Sequence, residues 1–167
     1  MLNDKLAKTA NELLKSLRKK KMRLATAESC TGGLIAMAIT DIPGSSEVFE
    51  RGFVTYSNES KIDLLTVPTF YMEDYGAVSM EVAVAMAEGA LLMSRADVSV
   101  SVTGCAGPGG GTEEKPIGTV FIGCSLKNHD TVFEKFLFKG NRQEIREQSA
   151  EAALKMALEV ISVIQNN

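Results

Sequence analysis

The stretch DVSVSVTG, residues 97–104, alternates polar and apolar side chains and is the clearest strand of the chain. Its valines are β-branched, a shape that suits the pleated surface of a sheet. A glycine-rich loop, residues 104–116, follows directly. Because ligands gather at the carboxyl ends of strands in open α/β sheets, this junction predicts where a binding site would lie.

Helical and strand patterns alternate on both sides of this strand. Further strands are predicted at residues 22–27, 53–57, 118–125 and 131–139. The last two form an antiparallel hairpin around a polar turn. Helices are predicted at residues 3–18, 33–42, 58–65 and 80–94, and from Asn141 onward, with Asn58, Ser79 and Asn141 as caps. This order predicts one domain, residues 1–167, with a three-layer α/β/α fold over a mixed, mostly parallel sheet of about five strands.

Composition narrows the classes of function. The net charge of −3 argues against a nucleic-acid partner, and no apolar run is long enough to span a membrane. Residues 1–21 are amphipathic and lack the pattern of a secretory signal, so we expect a cytoplasmic protein. The three cysteines include no CxxC pair, and the single histidine, His129, excludes histidine-rich metal sites.

Three loops follow predicted strands: ESCTGG at residues 28–33, YSNES at 56–60 and TGCAGPGGG at 103–111. Strand ends of this kind meet at one edge of a sheet, so the loops are expected to share a crevice. The glycine loop lacks the GK[ST] ending of a P-loop and the GxGxxG spacing of a dinucleotide site. It is therefore either a backbone cradle for a ligand or a flexible surface connection.

Ser29 and Cys30 are both candidate nucleophiles in the first loop. The glycines permit a sharp turn, and the first N–H groups of the following helix favour an anion or the oxyanion of acyl transfer. The alternative is structural, because serine and threonine are common helix N-caps. Glu28 either orients this turn or orients Lys61.

A serine nucleophile needs a base, and the choice in this chain is narrow. His129 is predicted in the hairpin turn, at the opposite end of the strands from the loops. Lys61 lies near the start of a short helix, where the helix dipole and burial would both lower its pKa. The alternative is an exposed lysine. Arg142 is a candidate partner for a phosphate or carboxylate, with a surface salt bridge as its alternative.

Seven motifs occur in order: AESCTGG, GSS…F, VTYSN…K, GAVS, TG.AGP.GG, KPIGTV and R…IR. Together they resemble the CinA C-terminal domain family, from about residue 5 to residue 165. The resemblance implies an α/β/α fold, commonly in a homo-oligomer. It also implies hydrolysis of nicotinamide mononucleotide to nicotinic acid mononucleotide and ammonia in pyridine nucleotide salvage, with no metal and no cofactor.

The functional residues of the family carry over position by position. The resemblance implies Ser29 as nucleophile, Lys61 as its base and Tyr56 as a neighbour that shares in proton handling. The expected substrate-binding residues are Cys30, Thr31, Gly32, Gly33, Ser57, Thr103, Gly104, Gly107 and Arg142. Two positions depart from the family pattern, because Cys105 replaces a small apolar residue and Asn141 replaces an aspartate.

Two other functions stay open at this point. A catalytically weak or inactive member of the family would keep the loops as a nucleotide-binding module without a working serine–lysine pair. A cysteine hydrolase would use Cys30 as its nucleophile instead of Ser29.

Overall fold

The computed structural model describes residues 1–165; residues 166–167, the end of the predicted domain, lie outside the described part. Its helices are α1 (Asp4–Lys20), α2 (Leu34–Thr40), α3 (Asn58–Leu65), α4 (Thr69–Asp74), α5 (Met80–Leu92) and α6 (Arg142–Ile161), with a 3₁₀ turn at Ser45–Glu47. Its strands are β1 (Leu24–Glu28), β2 (Phe49–Val54), β3 (Val98–Gly104), β4 (Thr119–Leu126) and β5 (Val132–Leu137). No helix within residues 1–165 combines the length and the apolar character needed to cross a membrane.

The strands form one mixed sheet in the order β2–β1–β3–β4–β5. β1 pairs in parallel with β2 and β3, whereas β4 pairs antiparallel with β3 and β5. All strands except β4 therefore point the same way. Helices α1, α2 and α6 pack on one face, and α3, α4 and α5 on the other. The predicted three-layer α/β/α fold over a mixed, mostly parallel sheet is confirmed.

Strand β3 lies at the centre of the sheet and is buried along almost its whole length. Val98, Val100 and Val102 belong to the larger hydrophobic core, together with apolar residues of α1, α2 and α6. The strand therefore has one apolar face, as its alternating sequence predicted. Its polar face is also buried, against a helix rather than against water.

Three hydroxyls of β3 donate hydrogen bonds to main-chain carbonyl oxygens in α5 and just before it: Ser99 to Ala87 (2.6 Å), Ser101 to Ala83 (2.5 Å) and Thr103 to Ala77 (2.7 Å). We call these bonds the hydroxyl ladder. A buried hydroxyl without a partner destabilises a fold, so the ladder makes a polar strand face compatible with burial. It also joins β3 to α5 at two points and to the segment just before α5 at a third.

Small side chains allow α5 to come this close to its neighbours. A Cβ atom on Gly123 in β4 would lie 2.7 Å from the carbonyl oxygen of Ala83. A Cβ atom on Gly89, within α5, would overlap the carbonyl oxygen of Leu65 at the end of α3. Both glycines are therefore required by the close approach of backbone rather than by a turn.

The position of β2 was predicted wrongly, at residues 53–57 instead of Phe49–Val54. It is an edge strand with much exposed surface, and a glycine interrupts its pattern. Gly52 packs against β1, since a Cβ there would lie 2.9 Å from the hydroxyl of Thr26. Residues 55–57 lead into α3, which is capped by Ser57 and not by Asn58: the Ser57 hydroxyl accepts from the N–H of Ser60 (3.1 Å). The six-residue α4 was not predicted, because so short a helix shows no clear period.

The other predicted caps are confirmed. Ser79 caps α5 by accepting from the N–H of Val82 (3.3 Å). Asn141 and Glu144 form a reciprocal capping box at the start of α6. The β4–β5 hairpin is confirmed as well. Its turn lies at the amino end of β3, since Leu126 pairs with Val98, so it is far from the loops at the carboxyl edge.

Gly89→Ala tests the close contact between α5 and α3. Alanine in a helix interior normally stabilises by about 1 kcal/mol relative to glycine. Here we expect the opposite sign, a loss of about 1–3 kcal/mol in the free energy of unfolding, because the added methyl group meets a main-chain oxygen. Urea unfolding measures the change. Gly109→Ala is the matched control, since a Cβ added at Gly109 would have no atom of residues 1–165 within 4 Å beyond its chain neighbours; an equal effect in both variants would contradict the prediction.

Candidate active site

The three predicted loops meet at the carboxyl edge of the sheet around a cavity of about 310 Å³. This follows from the parallel pairing of β1, β2 and β3, which brings the ends of those strands together. Residues of all three loops line the cavity, together with Lys61 of α3, two residues that precede α5 and the first residue of α6. The lining residues are Ser29, Cys30, Tyr56, Asn58, Lys61, Ala77, Val78, Thr103, Gly104, Cys105, Ala106, Gly107, Gly109, Gly110 and Arg142.

Ser29 and Lys61 form a direct, buried hydrogen bond within this cavity. The Nζ atom of Lys61 lies 2.9 Å from the Oγ atom of Ser29. Only 1% of Lys61 is exposed, which is unusual for a lysine. Its amine also donates to the carbonyl oxygen of Thr55 (2.9 Å), and two further carbonyl oxygens, of Tyr56 and Ser57, lie 3.4 and 3.5 Å away.

Burial lowers the pKa of Lys61 below its ordinary value of 10.5, because a charged amine loses its hydration there. Negative charge on Cys30, when that thiol is ionised, and on Glu59 acts in the opposite direction. The dipole of α3 contributes less to the lowered pKa than the sequence predicted. The amine faces main-chain carbonyl oxygens and not the free N–H groups at the start of α3. The direction of the shift is the one that a general base requires.

Glu28 holds the turn that follows β1. Its carboxylate is fully buried and accepts from the N–H groups of Ile35 (2.8 Å) and Ala36 (3.1 Å). Burial raises the pKa of Glu28, and these two hydrogen bonds act against that rise. Of the two roles open for Glu28, the structure supports orientation of the turn. It also corrects the expectation that the first N–H groups of α2 would serve a ligand, because Glu28 already occupies them.

Cys30 follows Ser29 directly in the sequence, and its side chain is buried. Burial raises the pKa of its thiol to about 11, so the thiol is protonated at neutral pH. A cysteine nucleophile needs the thiolate, which this environment disfavours. The geometry thus favours Ser29 over Cys30 as the attacking group.

The remaining residues of the turn shape it without lining the cavity. Gly32 and Gly33 have φ angles of +58° and +97°, a backbone conformation that suits glycine, and α2 begins immediately afterwards. Thr31 is fully buried below the turn. Ser57 caps α3 and does not line the cavity. Its contact with substrate stays a prediction.

Arg142 bridges two of the loops at the mouth of the cavity. Its Nη1 atom donates to the carbonyl oxygen of Gly107 (2.7 Å), and its Nη2 atom donates to the hydroxyl of Tyr56 (2.9 Å). The Tyr56 hydroxyl therefore faces Arg142, and only the main-chain carbonyl of Tyr56 reaches toward Lys61. A role for that hydroxyl in proton transfer remains a prediction.

Thr103 and the glycine loop form the opposite wall. The Thr103 hydroxyl is the last member of the hydroxyl ladder and donates to Ala77, which also lines the cavity. Gly104 packs tightly, since a Cβ there would lie 2.7 Å from a side-chain carbon of Val120. Cys105, one of the two departures from the family pattern, lines the cavity as a free and partly exposed thiol.

Arg146 also contacts the Ser29 turn, although the sequence did not predict it as a site residue. Its Nε atom donates to the carbonyl oxygen of Cys30 (3.1 Å), and its Nη2 atom donates to that of Thr31 (2.8 Å). The second arginine of the R…IR motif marked this position, and its spacing of four residues from Arg142 places both on one side of a helix. Asn58, Ala77 and Val78 also line the cavity without having been predicted.

A larger cavity of about 640 Å³ lies between α5 and β5, away from the loops. Its lining includes acidic and apolar side chains but no serine, cysteine, lysine or histidine. His129 is in the exposed hairpin turn at the far end of the sheet. Among residues 1–165, no three His, Cys, Asp or Glu side chains group as metal ligands do. The smaller cavity, in contrast, contains the hydrogen-bonded pair of Ser29 and Lys61.

The model of the CinA C-terminal domain family matches residues 6–161. The chain belongs to this family. Family members of known structure share the fold: the competence/damage inducible protein CihA from Agrobacterium tumefaciens is 42% identical with a TM-score of 0.93, covering 99% of each chain. A CinA superfamily protein from Escherichia coli is 33% identical with a TM-score of 0.89, covering 96% of this chain and 94% of that one.

Curated CinA relatives differ in length. A protein of Enterobacter agglomerans named nicotinamide-nucleotide amidohydrolase PncC is 49% identical over 158 residues, which is 95% of this chain and 96% of that protein. The CinA-like protein of Akkermansia muciniphila is 51% identical over 138 residues, 83% of this chain but 33% of that protein. The chain spans about a third of the length of several such curated relatives.

Glu28 gives a test of how the turn is held. Glu28→Ala leaves two buried N–H groups without their acceptor and is expected to lower the free energy of unfolding by about 1–3 kcal/mol. Glu28→Gln keeps the volume and one oxygen, so its loss should be smaller. Urea unfolding measures both variants. Glu134→Ala removes an exposed carboxylate and is expected to stay within about 0.5 kcal/mol of the wild type; a Glu28→Ala variant equally close to the wild type would contradict the capping role.

Proposed function

We propose that this chain hydrolyses the carboxamide of nicotinamide mononucleotide to nicotinic acid mononucleotide and ammonia. The observation that carries the proposal is the buried 2.9 Å contact between the Ser29 hydroxyl and the Lys61 amine inside the cavity. The amidohydrolase name of the Enterobacter agglomerans relative, which matches nearly full length, supports the substrate. A hydroxyl activated by a neutral amine is a recognised route to acyl transfer without a histidine.

The first half of the reaction forms an acyl-enzyme. A neutral Lys61 amine donates its two N–H bonds to main-chain carbonyl oxygens such as that of Thr55, which leaves its lone pair for the Ser29 proton. The Ser29 oxygen attacks the carboxamide carbon, and the carbonyl oxygen becomes an oxyanion. Lys61, now an ammonium, gives its proton to the departing nitrogen, which leaves as ammonia. The carbon–nitrogen bond breaks, and an ester to Ser29 remains.

The second half releases the acid by the reverse use of the same groups. Water occupies the place that ammonia vacated, and neutral Lys61 takes its proton as it attacks the ester carbon. The oxyanion collapses, the bond to Ser29 breaks, and Lys61 returns the proton to the Ser29 oxygen. The reaction thus consumes one water and leaves the pair as it began.

The N–H group of Cys30 is the proposed donor to the oxyanion. Cys30 lines the cavity directly after the nucleophile, and its N–H has no main-chain acceptor among residues 1–165. The residue after the nucleophile has this role in the nucleophile elbow of α/β-hydrolases. A second donor would come from the loop at residues 103–107, which forms the facing wall.

The cavity wall opposite the pair suits the rest of the nucleotide. Arg142 stands at the mouth, and its guanidinium is the proposed partner of the phosphate. Thr103, Gly104 and Gly107 bring main chain close to the ligand. Tyr56 is proposed to orient Arg142, because its hydroxyl contacts that guanidinium and not the amine. The N-terminal half of the turn, Ser29 and Cys30, holds the carboxamide.

The proposal includes residues 1–167 as a single amidase domain in a cytoplasmic homo-oligomer. Three free thiols, at Cys30, Cys105 and Cys124, are usual in a reducing compartment. Edge strand β5 exposes apolar side chains, among them Phe133 and Leu137, as surfaces between subunits often do.

Removal of either member of the pair tests the mechanism. Ser29→Ala and Lys61→Met are each expected to lower kcat for ammonia release from nicotinamide mononucleotide by about 10³-fold or more, because each removes a group that acts in every step. A coupled ammonia assay measures the rate, with free nicotinamide as the substrate control. His129→Ala, at the far end of the sheet, is the control variant and should keep the wild-type rate.

Other outcomes of this assay identify the alternatives. Binding of the mononucleotide by the wild type without ammonia release would indicate a nucleotide-binding module. Wild-type turnover in Ser29→Ala, together with loss of turnover in Cys30→Ala, would indicate a cysteine hydrolase. Activity on free nicotinamide alone would contradict the nucleotide part of the proposal.

The pH dependence of the rate follows from the pKa of Lys61. Lys61 acts as a base only when neutral, and its pKa lies below the ordinary 10.5. We therefore expect kcat/KM to rise with pH as the amine loses its proton and to level off before pH reaches 10.5. Initial rates across this range measure the profile. An arginine in place of Lys61 stays charged across this pH range, so the Lys61→Arg variant should show no rise of kcat/KM with pH. The same rise in that variant would mean that another group causes it.

A further inference from the structure

We propose that Arg146 is a positioning residue that holds the Ser29 turn in its reactive shape, an inference that rests on the proposed function. Arg146 extends from α6 to the turn between β1 and α2 and donates to the carbonyl oxygens of Cys30 and Thr31 (3.1 and 2.8 Å). It lies outside the cavity lining and does not touch the reacting groups. Its hydrogen bonds therefore act on the reaction through the main chain of the turn.

The two bonds complete the hydrogen bonding of the turn's carbonyl oxygens. The oxygen of Ser29 accepts from the N–H of Gly32 (3.0 Å), and that of Thr31 also accepts from the N–H of Leu34 (3.1 Å). The oxygen of Cys30 has Arg146 as its hydrogen-bond donor among residues 1–165. Without Arg146, no other group in that part of the chain would fix the peptide group that joins Cys30 to Thr31.

That peptide group lies next to the proposed oxyanion donor. Each peptide unit is planar, so an anchored Cys30 carbonyl restricts rotation of the backbone on both sides of it. The N–H of Cys30 is on the preceding peptide unit, whose Ser29 carbonyl accepts from the N–H of Gly32 (3.0 Å). With the peptide units on both sides of Cys30 anchored, this N–H is held at a constant angle to the Ser29 side chain. A donor that is already in place when charge develops stabilises the transition state far more than one that must reorient.

An arginine suits this task better than other residues. Its planar guanidinium presents N–H groups in a rigid fork and keeps its charge at all working pH values, so it grips two adjacent carbonyl oxygens at once. The part of α6 that carries Arg146 is also held firmly. Ile145 and Ser149 are buried, and the Ser149 hydroxyl donates to the Ile145 carbonyl oxygen (2.6 Å). The turn is thereby fixed to the main hydrophobic core through α6.

The test compares Arg146→Met and Arg146→Lys with the control Lys155→Met. The control removes one positive charge from an exposed position of the same helix. For each protein we would measure kcat and KM for nicotinamide mononucleotide, the pH profile, the thermal midpoint, and the rate at which a fluorophosphonate labels Ser29. The labelling reaction reports on the nucleophile and the oxyanion donor without any assumption about the natural substrate.

The expected result is a loss of about 10- to 100-fold in kcat and in labelling rate for Arg146→Met, less than the loss of a donor itself, with KM and the midpoint of the pH profile unchanged. Arg146→Lys, which can reach one carbonyl oxygen well but not two, should fall between. Added guanidinium ion at non-denaturing concentration should restore part of the Arg146→Met rate, whereas sodium chloride should not. Lys155→Met should remain within about twofold of the wild type, as surface changes usually do.

Several results would overturn the proposal. They are a folded Arg146→Met with the wild-type kcat and labelling rate, a shifted pH midpoint that accounts for the loss, or an equal loss in Lys155→Met. If Arg146→Met does not fold, Arg146→Lys decides in the same way. If the wild type releases no ammonia, the proposed substrate fails, and the ratio of labelling rates still decides on Arg146; an unlabelled wild-type Ser29 would count against both.

Discussion

Almost all of Lys61 is buried, and the candidate site is arranged around that burial. A buried charge must be paired or lost, and among residues 1–165 this amine has no carboxylate in hydrogen-bonding contact. Its hydrogen-bond partners are main-chain carbonyl oxygens and the hydroxyl of Ser29. Such neutral partners satisfy the N–H groups without a full negative charge to hold the proton. The amine can therefore give up its proton at lower pH than a solvated lysine.

A buried carboxylate that is next to Ser29 in sequence is kept away from the Lys61 amine by its own hydrogen bonds. Glu28 precedes Ser29 directly, but its oxygens are held by the first turn of α2. If it were free to pair with Lys61, the ammonium would be stabilised and a base would be lost. Because Glu28 bonds to the N–H groups of α2, it both caps that helix and leaves the Lys61 amine without a carboxylate partner. This dependence explains why a buried acid and a buried base can both stand close to Ser29.

Helix α6 ties the three loops of the site to one rigid element. Arg142, at its first position, bridges the glycine loop and Tyr56, and Arg146, one turn later, grips the Ser29 turn. The capping box fixes where this helix starts, and its apolar stripe packs into the main core. The relative positions of the three loops therefore depend on where α6 begins, although α6 follows all of them in the sequence.

Sequence patterns predicted most of the fold, since β3, the hairpin and the caps of α5 and α6 each have strong local signals. β2 was misplaced because edge strands tolerate glycine and charge, so that packing rather than propensity decides their position. The meeting of Ser29 with Lys61 could be anticipated, because their loops follow predicted strands whose carboxyl ends share one edge of the sheet and because the family motifs pair these two positions. The partners of Glu28 and Arg146 could not, because hydrogen bonds to main chain depend on how far a side chain reaches in the folded molecule and leave no periodic trace.

The hydroxyl ladder has a consequence for how this fold tolerates insertions and deletions. Ser99, Ser101 and Thr103 each meet one carbonyl oxygen, so α5 can occupy only one register against β3. A one-residue change of length inside α5 would break several of these bonds together and shift Ala77 at the cavity wall. The glycine loop has no such ladder along its exposed stretch at residues 108–114. Homologues that differ in length around this site are thus expected to differ there, where the substrate would meet the chain, and to keep α5 unchanged.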